Sequence, residues 1–272
     1  MNFSELRDKL CNPPVLAEKD QYRIKFAIDS EEIQAAFKLR YEVFNLEQGK
    51  GLEIASKEGI DRDEFDDYCL HLVVEVKDTK EIVGTYRIHP GTVASKALGF
   101  YSAREFELAG LDLIAENTIE VGRSCVSPAH RDGTVVALLW SGISEIIFRS
   151  RMRYLFGCVS LEDVNPASGW AIYEHLRESG KVSDEIFATG LPHCCMPRPE
   201  EEEIHEILND RKRLRGLIPP LFKGYLRLGA KICGEPVFDH EFGTIDFLIL
   251  LDLSGLPERY IKHFNVASVG GS

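Results

Sequence analysis

The chain has 272 residues, 44% hydrophobic and 28% charged, with a formal net charge of −12. That length buries an ample core in one large domain or two small ones, and the negative charge excludes broad electrostatic binding to nucleic acid. The longest apolar runs, 143–148 and 247–253, are too short to span a bilayer, and the N-terminus carries early acids without the apolar core of a secretory signal.

In chain order, residues 1–20 are expected to form a loosely attached N-terminal leader broken by Pro13 and Pro14, followed by a single domain over 21–266. Residues 22–28 alternate as a strand. Ser30 is placed to cap a helix with Glu31 and Glu32 in its first turn. Ile33, Phe37, Leu39, Arg40, Tyr41 and Phe44 continue it with an apolar face and one conspicuous arginine. Residues 45–67 are polar and aperiodic. Strands at 71–76 and 82–90 flank a turn as a hairpin, and 118–126 is a further strand. A helix opening near Thr134 carries Val135, Leu138, Leu139, Ile143 and Ile146 and is expected to be largely buried. A strand at 153–161, a helix at 168–180 and a helix at 198–216 follow, the last with acids first and bases last. A short helix within 218–230 and closing strands at 231–239 and 244–253 complete a mixed α/β pattern without internal repeat.

Seven cysteines with no C-x-x-C pair point to reduced thiols and a cytoplasmic protein. His193, Cys194 and Cys195 adjoin, but such a run has poor zinc geometry, and no metal is expected. Cys125 and His130 read as packing and loop residues rather than a nucleophile and its base.

The stretch TIEVGRSCVSPAHRDG, 118–133, is the unusual one. It sets Glu120 and Arg123 on a strand that reads as buried, where a charge is costly unless paired or used. The loop after it, 127–134, contains Arg131 and Gly133 and opens a helix. Unpaired backbone N–H groups and the helix dipole there favour an anion.

This order of elements resembles the GNAT N-acyltransferases, an α/β fold with a mixed central sheet flanked by helices. The blocks LRYEVF (39–44), DRDEFD (61–66), VGTYRIHP (83–90) and IEVGR (119–123) occur in the order found in acyl-homoserine-lactone synthases. The blocks EVGRSCVSPAHRDG and IPPLFKGYLRLGAKICGEPVFDHEFGTIDFLILLDLSGLPERYIKHF look like those of bacterial L-ornithine N-alpha-acyltransferases. The likeness extends over about 22–264.

The resemblance implies an enzyme that moves a long 3-hydroxyacyl chain from acyl carrier protein to the alpha-amine of L-ornithine, the first step of ornithine-lipid synthesis. Acyl-coenzyme A is the other possible donor, and no further cofactor is implied. Glu120 then stands where a general base takes a proton from the attacking amine, with a pKa raised by its strand environment. Arg123 pairs with a carboxylate of 61–66 or of the substrate; a purely structural Glu120–Arg123 pair is the alternative. Val126, Arg131, Gly133 and Thr134 would hold the donor's phosphopantetheine. Arg40, Phe44, Asp63, Asp66, Arg87 and Arg123 would bind the acceptor, although the aspartates also fit a solvated acidic loop. Competing functions are an N-acyl amino acid or signal synthase on the same fold, and a non-catalytic module that binds carrier protein or lipid.

Carrier proteins are acidic, so Arg149, Arg151 and Arg153 form an expected docking patch, with Arg211, Lys212, Arg213 and Arg215 as a second basic cluster. The acyl chain requires an apolar tunnel, expected between helix 135–147, including Ala137, and strand 247–251. A product of this kind would leave at the inner membrane surface through transient contact.

Overall fold

The computed structural model describes residues 3–51 and 55–255. Its strands are β1 (Val15–Lys19), β2 (Tyr22–Phe26), β3 (Leu70–Val76), β4 (Ile82–Pro90), β5 (Phe106–Ala109), β6 (Thr118–Val126), β7 (Tyr154–Leu161), β8 (Phe187–Gly190), β9 (Lys231–Ile232), β10 (Val237–Asp239) and β11 (Thr244–Asp252). Its helices are α1 (Phe3–Leu10), α2 (Ser30–Tyr41), α3 (Ala55–Glu58), α4 (Gly91–Ala94), α5 (Leu111–Ile114), α6 (Thr134–Ser150), α7 (Pro166–Glu178), α8 (Glu201–Asn209), α9 (Arg211–Leu217) and α10 (Pro220–Leu228). The main sheet runs β1-β2-β3-β4-β6-β7-β11-β10, with β9 also on β11, while β5 and β8 pair separately.

Both faces of the sheet are covered. Leu72 and Val74 pack in the cluster that includes α6, whereas Val73 between them packs with Ala36 and Leu39 of α2. That is the two-residue alternation of a strand buried on each side. β4 is accordingly buried along its whole length.

Among the named strands, every neighbouring pair in the main sheet is antiparallel except β6 and β7. These two run parallel and pair only over Thr118–Tyr154, Ile119–Leu155 and Glu120–Phe156. Beyond Glu120 they part, because β7 stays paired with β11 through Leu161. Gly157 sits where they separate, and a side chain there would come within 2.2 Å of the Val121 carbonyl oxygen.

On its other edge β6 is bulged. Thr85 faces Cys125 and Arg87 faces Gly122, so Arg123 and Ser124 oppose Tyr86 alone. Arg123 takes the step with a left-handed φ of 52°. Regular alternation would put Arg123 on the face of Ile119 and Val121, which belong to the main apolar core. The bulge re-aims it.

Several expectations change. Residues 1–20 are no loose leader as far as they are described: β1 forms the sheet edge on β2, and Leu6 and Leu10 are buried in the core. Arg149 fastens the segment by donating to the carbonyls of Leu10 and Pro13. Asp29, not Ser30, caps α2 through its side chain to the Glu32 amide. The helix expected over 198–216 is two, divided at Asp210, whose carboxylate accepts from the amides of Lys212 and Arg213 and starts α9. The strand expected at 231–239 is β9 and β10 with a break between them. The boundary at 266 and the end of the 218–264 block lie outside the described residues.

Candidate active site

A cavity of about 280 Å³ opens where β6 and β7 part. Val121, Gly122, Arg123 and Ser124 line it from β6, and Cys158, Val159, Ser160 and Leu161 from β7. Glu120, His89, Arg87, Phe44, Glu105, Asp239 and Asp246 also face it.

Glu120 is 5% exposed. Its Oε2 accepts from the Tyr101 amide at 2.8 Å, and Oε1 accepts from the Ser102 amide at 2.8 Å and the Ser102 hydroxyl at 2.6 Å. His89 Nδ1 stands 3.5 Å from Oε2, near enough for charge attraction but without a hydrogen bond. Burial raises the Glu120 pKa, yet His89 and the Ser102 donors outweigh it and hold the carboxyl below its ordinary value. The expectation of a raised pKa is therefore corrected: the strand is buried, but His89 first and the Ser102 donors after it outweigh the lost water.

The expected acceptor residues Arg40, Asp63, Asp66, Arg87 and Arg123 do converge, joined by Asp61. Arg40 donates from Nε to Asp61 at 2.6 Å and in a fork to Asp66 at 2.8 and 3.1 Å. Arg87 meets Asp63 at 2.7 Å, and Arg123 lies 3.2 Å from Asp63 and 3.4 Å from Asp61. Tyr101 and Phe242 cover the Arg123 guanidinium at 4.8 and 4.5 Å. Three arginines cancel three aspartates. Burial alone would raise the Asp66 pKa, but Arg40 and Arg87 drive it well down. Arg87, Arg123 and Phe44 reach the cavity, whereas Arg40, Asp63 and Asp66 stand behind it.

A second charged wall of the cavity was not foreseen. Glu105, Asp239 and Asp246 are 6%, 7% and 3% exposed. Asp246 accepts from the hydroxyls of Thr244 and Ser160 at 2.7 and 3.0 Å, and Asp239 from the amides of Glu241 and Phe242 at 2.7 and 3.1 Å. Among the described residues Glu105 accepts only from the Cys158 thiol, at 4.0 Å. Burial, then Asp246 and Asp239, push the Glu105 carboxyl up to about 9; burial and Asp239 push Asp246 up to about 6. Among the described residues, Glu105, Cys158 and Asp246 also bring three metal-capable atoms within 4.8 Å of one another. His89 was present in the VGTYRIHP block; its position across from Glu120 in the strand register is the signal that identifies it.

The remaining expected residues lie away from the cavity. Val126 ends β6, and its carbonyl accepts from Arg131 Nε at 3.0 Å. Arg131 forks onto Glu47 at 2.6 and 2.7 Å. Gly133, with φ 94°, precedes α6, and the Thr134 amide already donates to Asp132 at 2.8 Å. An incoming phosphate thus competes with two carboxylates. Of the expected basic patch, Arg149 is held by Glu145 and Arg153 by Asp252, leaving only Arg151 without an ion pair among the described residues. Arg211, Lys212, Arg213 and Arg215 on α9 are exposed, with no ion pair among those residues. The expected tunnel walls are close-packed core: Phe247, Ile249 and Leu251 are buried and Ala137 is exposed, and none lines the cavity. Pro219 and Leu221 line it instead.

Residues 39–141 match the acetyltransferase (GNAT) domain model. An L-ornithine N(alpha)-acyltransferase of Brucella abortus (strain 2308) is 36% identical over 263 residues, covering 92% of this chain and 91% of the relative. The chain belongs to the L-ornithine N(alpha)-acyltransferase family. A second member, from Agrobacterium fabrum (strain C58 / ATCC 33970), is 36% identical and covers 88% of this chain and 84% of its own length. A solved CoA-dependent acyl-homoserine lactone synthase overlays with a TM-score of 0.49 at 13% identity, covering 100% of this chain and 95% of the other. The protein is thus an N-acyltransferase of GNAT fold. No helix among the described residues is long and apolar enough to cross a membrane.

Proposed function

We propose that this acyltransferase moves a long 3-hydroxyacyl chain from a carrier-protein thioester to the α-amine of L-ornithine, opening ornithine-lipid synthesis. The observation that carries the reading is the buried Glu120–His89 pair beside the parting of β6 and β7, in a chain whose family relatives bear that name. An α-ammonium must lose a proton before attack. Glu120, held ionised, is a weak base by itself, so its charge acts through His89: an unbonded ring nitrogen accepts the proton and the carboxylate stabilises the imidazolium. The amine nitrogen bonds to the thioester carbon, the carbon–sulfur bond breaks, the nitrogen gives a second proton to solvent, and the imidazolium returns its proton to the leaving thiolate, leaving a neutral amide and a thiol. The β6 edge left unpaired past Glu120 offers backbone N–H groups to the carbonyl oxygen as it gains charge.

Arg87 and Arg123 present cationic groups to the acceptor's carboxylate. Pro219 and Leu221 offer apolar surface to the acyl chain. The basic α9, just before them in the chain, suits an acidic carrier protein better than Arg151 alone. The site of action in this reading is the cytoplasm, with the product released at the inner membrane surface.

Lipid mass spectrometry in a host without ornithine lipids tests the reading. The expected new species is lyso-ornithine lipid; an acyl-tyrosine or a lactone would overturn it. Glu120→Gln and His89→Asn should each lower single-turnover transfer by about a hundred- to ten-thousand-fold. A wild-type rate in both would remove the dyad from the reaction.

A further inference from the structure

Resting on the ornithine reading, we infer that Glu105, Asp246 and Asp239 form a binding subsite for the acceptor's second ammonium, the one at the end of its side chain. Ornithine differs from an ordinary aliphatic amino acid by that ammonium, which remains charged while the α-amine reacts. A charge carried into a closed site needs opposite charge and hydrogen-bond acceptors. The cavity lining supplies both in Glu105, Asp239 and Asp246.

An acidic cluster can be purely structural, and Asp239 and Asp246 do accept protein donors. Glu105 differs. It is more than nine-tenths buried, it lines the cavity, and among the described residues its carboxylate accepts from the Cys158 thiol alone, over a long 4.0 Å. His89, 2% exposed on the same cavity, likewise has both ring nitrogens without a hydrogen-bond partner. The unpartnered imidazole and the weakly partnered carboxylate suit separate ends of one molecule: His89 the reacting amine, Glu105 the distal ammonium. Ser102 links the two positions, donating to Glu120 at 2.6 Å and lying 3.6 Å from the Cys158 sulfur that contacts Glu105.

Every charged group near Glu105 agrees in sign except Arg123. Asp246 of β11, Asp239 of β10 and Glu120 of β6 all repel its ionised form, and Arg123 is already committed to Asp61 and Asp63. Lys50, on the cavity rim, acts weakly on Asp246. The acidic cluster by itself therefore keeps a proton on Glu105 at neutral pH, and the arriving ammonium displaces that proton to solvent. The Cys158 thiol, whose pKa burial raises far above its usual value, is poorly suited to bind a metal as thiolate.

The test compares ornithine with norvaline, which has the same α-amine but ends in a methyl group, at saturating acyl donor between pH 7 and 9. Wild-type enzyme should favour ornithine in kcat/KM by about tenfold or more, and the preference should climb with pH as Glu105 ionises. A rise shared by both acceptors reports the α-amine alone and cancels in the ratio. Glu105→Gln should lower the ornithine-to-norvaline ratio about tenfold, chiefly through the ornithine KM, and abolish its pH dependence. Asp246→Asn should do the same more weakly and decides the matter if Glu105→Gln does not fold. Equal losses with both acceptors, or activity removed by EDTA and restored by zinc, would overturn the subsite. A wild-type enzyme that acylates both acceptors equally sinks the subsite but leaves the ornithine reading standing; one that acylates neither sinks that reading as well.

Discussion

The two charged walls of the cavity are built on opposite principles. On one, Arg40, Arg87 and Arg123 are matched by Asp61, Asp63 and Asp66, and every charge is answered within the chain. On the other, Glu105, Asp239 and Asp246 stand together with no ion pair to any of them among the described residues. The difference separates a wall that meets its ligand with its charges already balanced from one whose charges are left for the ligand to balance. A balanced buried network fixes the shape of a wall; an unbalanced one keeps its proton or waits for a cation.

The sharpest way to break the comparison is to unbalance the first wall. Arg40→Met leaves Asp61 and Asp66 buried with no cation in the fork, and should cost about 3–5 kcal/mol in urea unfolding. A loss within ~1 kcal/mol would mean that the network is solvated in solution. Glu105→Gln on the second wall should have the opposite sign, raising stability by roughly 1–3 kcal/mol at pH 8 while spoiling the selectivity for ornithine. A variant less stable than wild type would show Glu105 to be structural.

Titration sharpens the contrast further. Glu105 holds its proton to about 9 when folded but releases it near its ordinary value when unfolded. The unfolded chain thus binds fewer protons between those values, and wild-type stability should fall as pH rises through them, a slope that Glu105→Gln removes. Beside the first wall, His71 is buried and depressed to about 4 by desolvation, with Arg40 adding to the effect. The unfolded chain takes up that proton first as pH drops below His71's ordinary value, so stability should decline toward pH 4, and His71→Gln should flatten the slope. The smallest effect belongs to the exposed Arg131–Glu47 pair. Glu47→Gln should change stability by less than about 1 kcal/mol and so mark what a pair is worth in water.

The sequence showed one wall and concealed the other. Arg40, Asp63, Asp66, Arg87 and Arg123 lie in compact blocks whose charges interrupt apolar patterns, so their convergence was legible; Asp61, in the same block, was passed over. Glu105, Asp239 and Asp246 lie far apart, two of them in short β10 and at the start of β11, and nothing local distinguishes them from surface acids. The fold followed the same rule. Strongly periodic β3, β4, β6, α6 and β7 were readable, while β1, β5 and β8 were missed because their four or five residues are held by tertiary pairing. The burial that would raise the Glu120 pKa is visible in a hydrophobic pattern, whereas the approach of His89 and of the Ser102 donors that lowers it is not.

The bulge at Arg123 has a consequence for how this strand can change in length. Glu120 and Arg123 are three positions apart, an odd interval that a regular strand would divide between its two sides. The extra residue restores parity, so both can face one chamber. Loss of a single codon at Ser124 would straighten β6 and swing the guanidinium among Ile119 and Val121. Such a deletion should be far more harmful than replacing Ser124 by alanine, because it moves a charge instead of removing a hydroxyl. In this chain the presence of both the glutamate and the arginine on one chamber thus depends on the count of residues between Gly122 and Cys125.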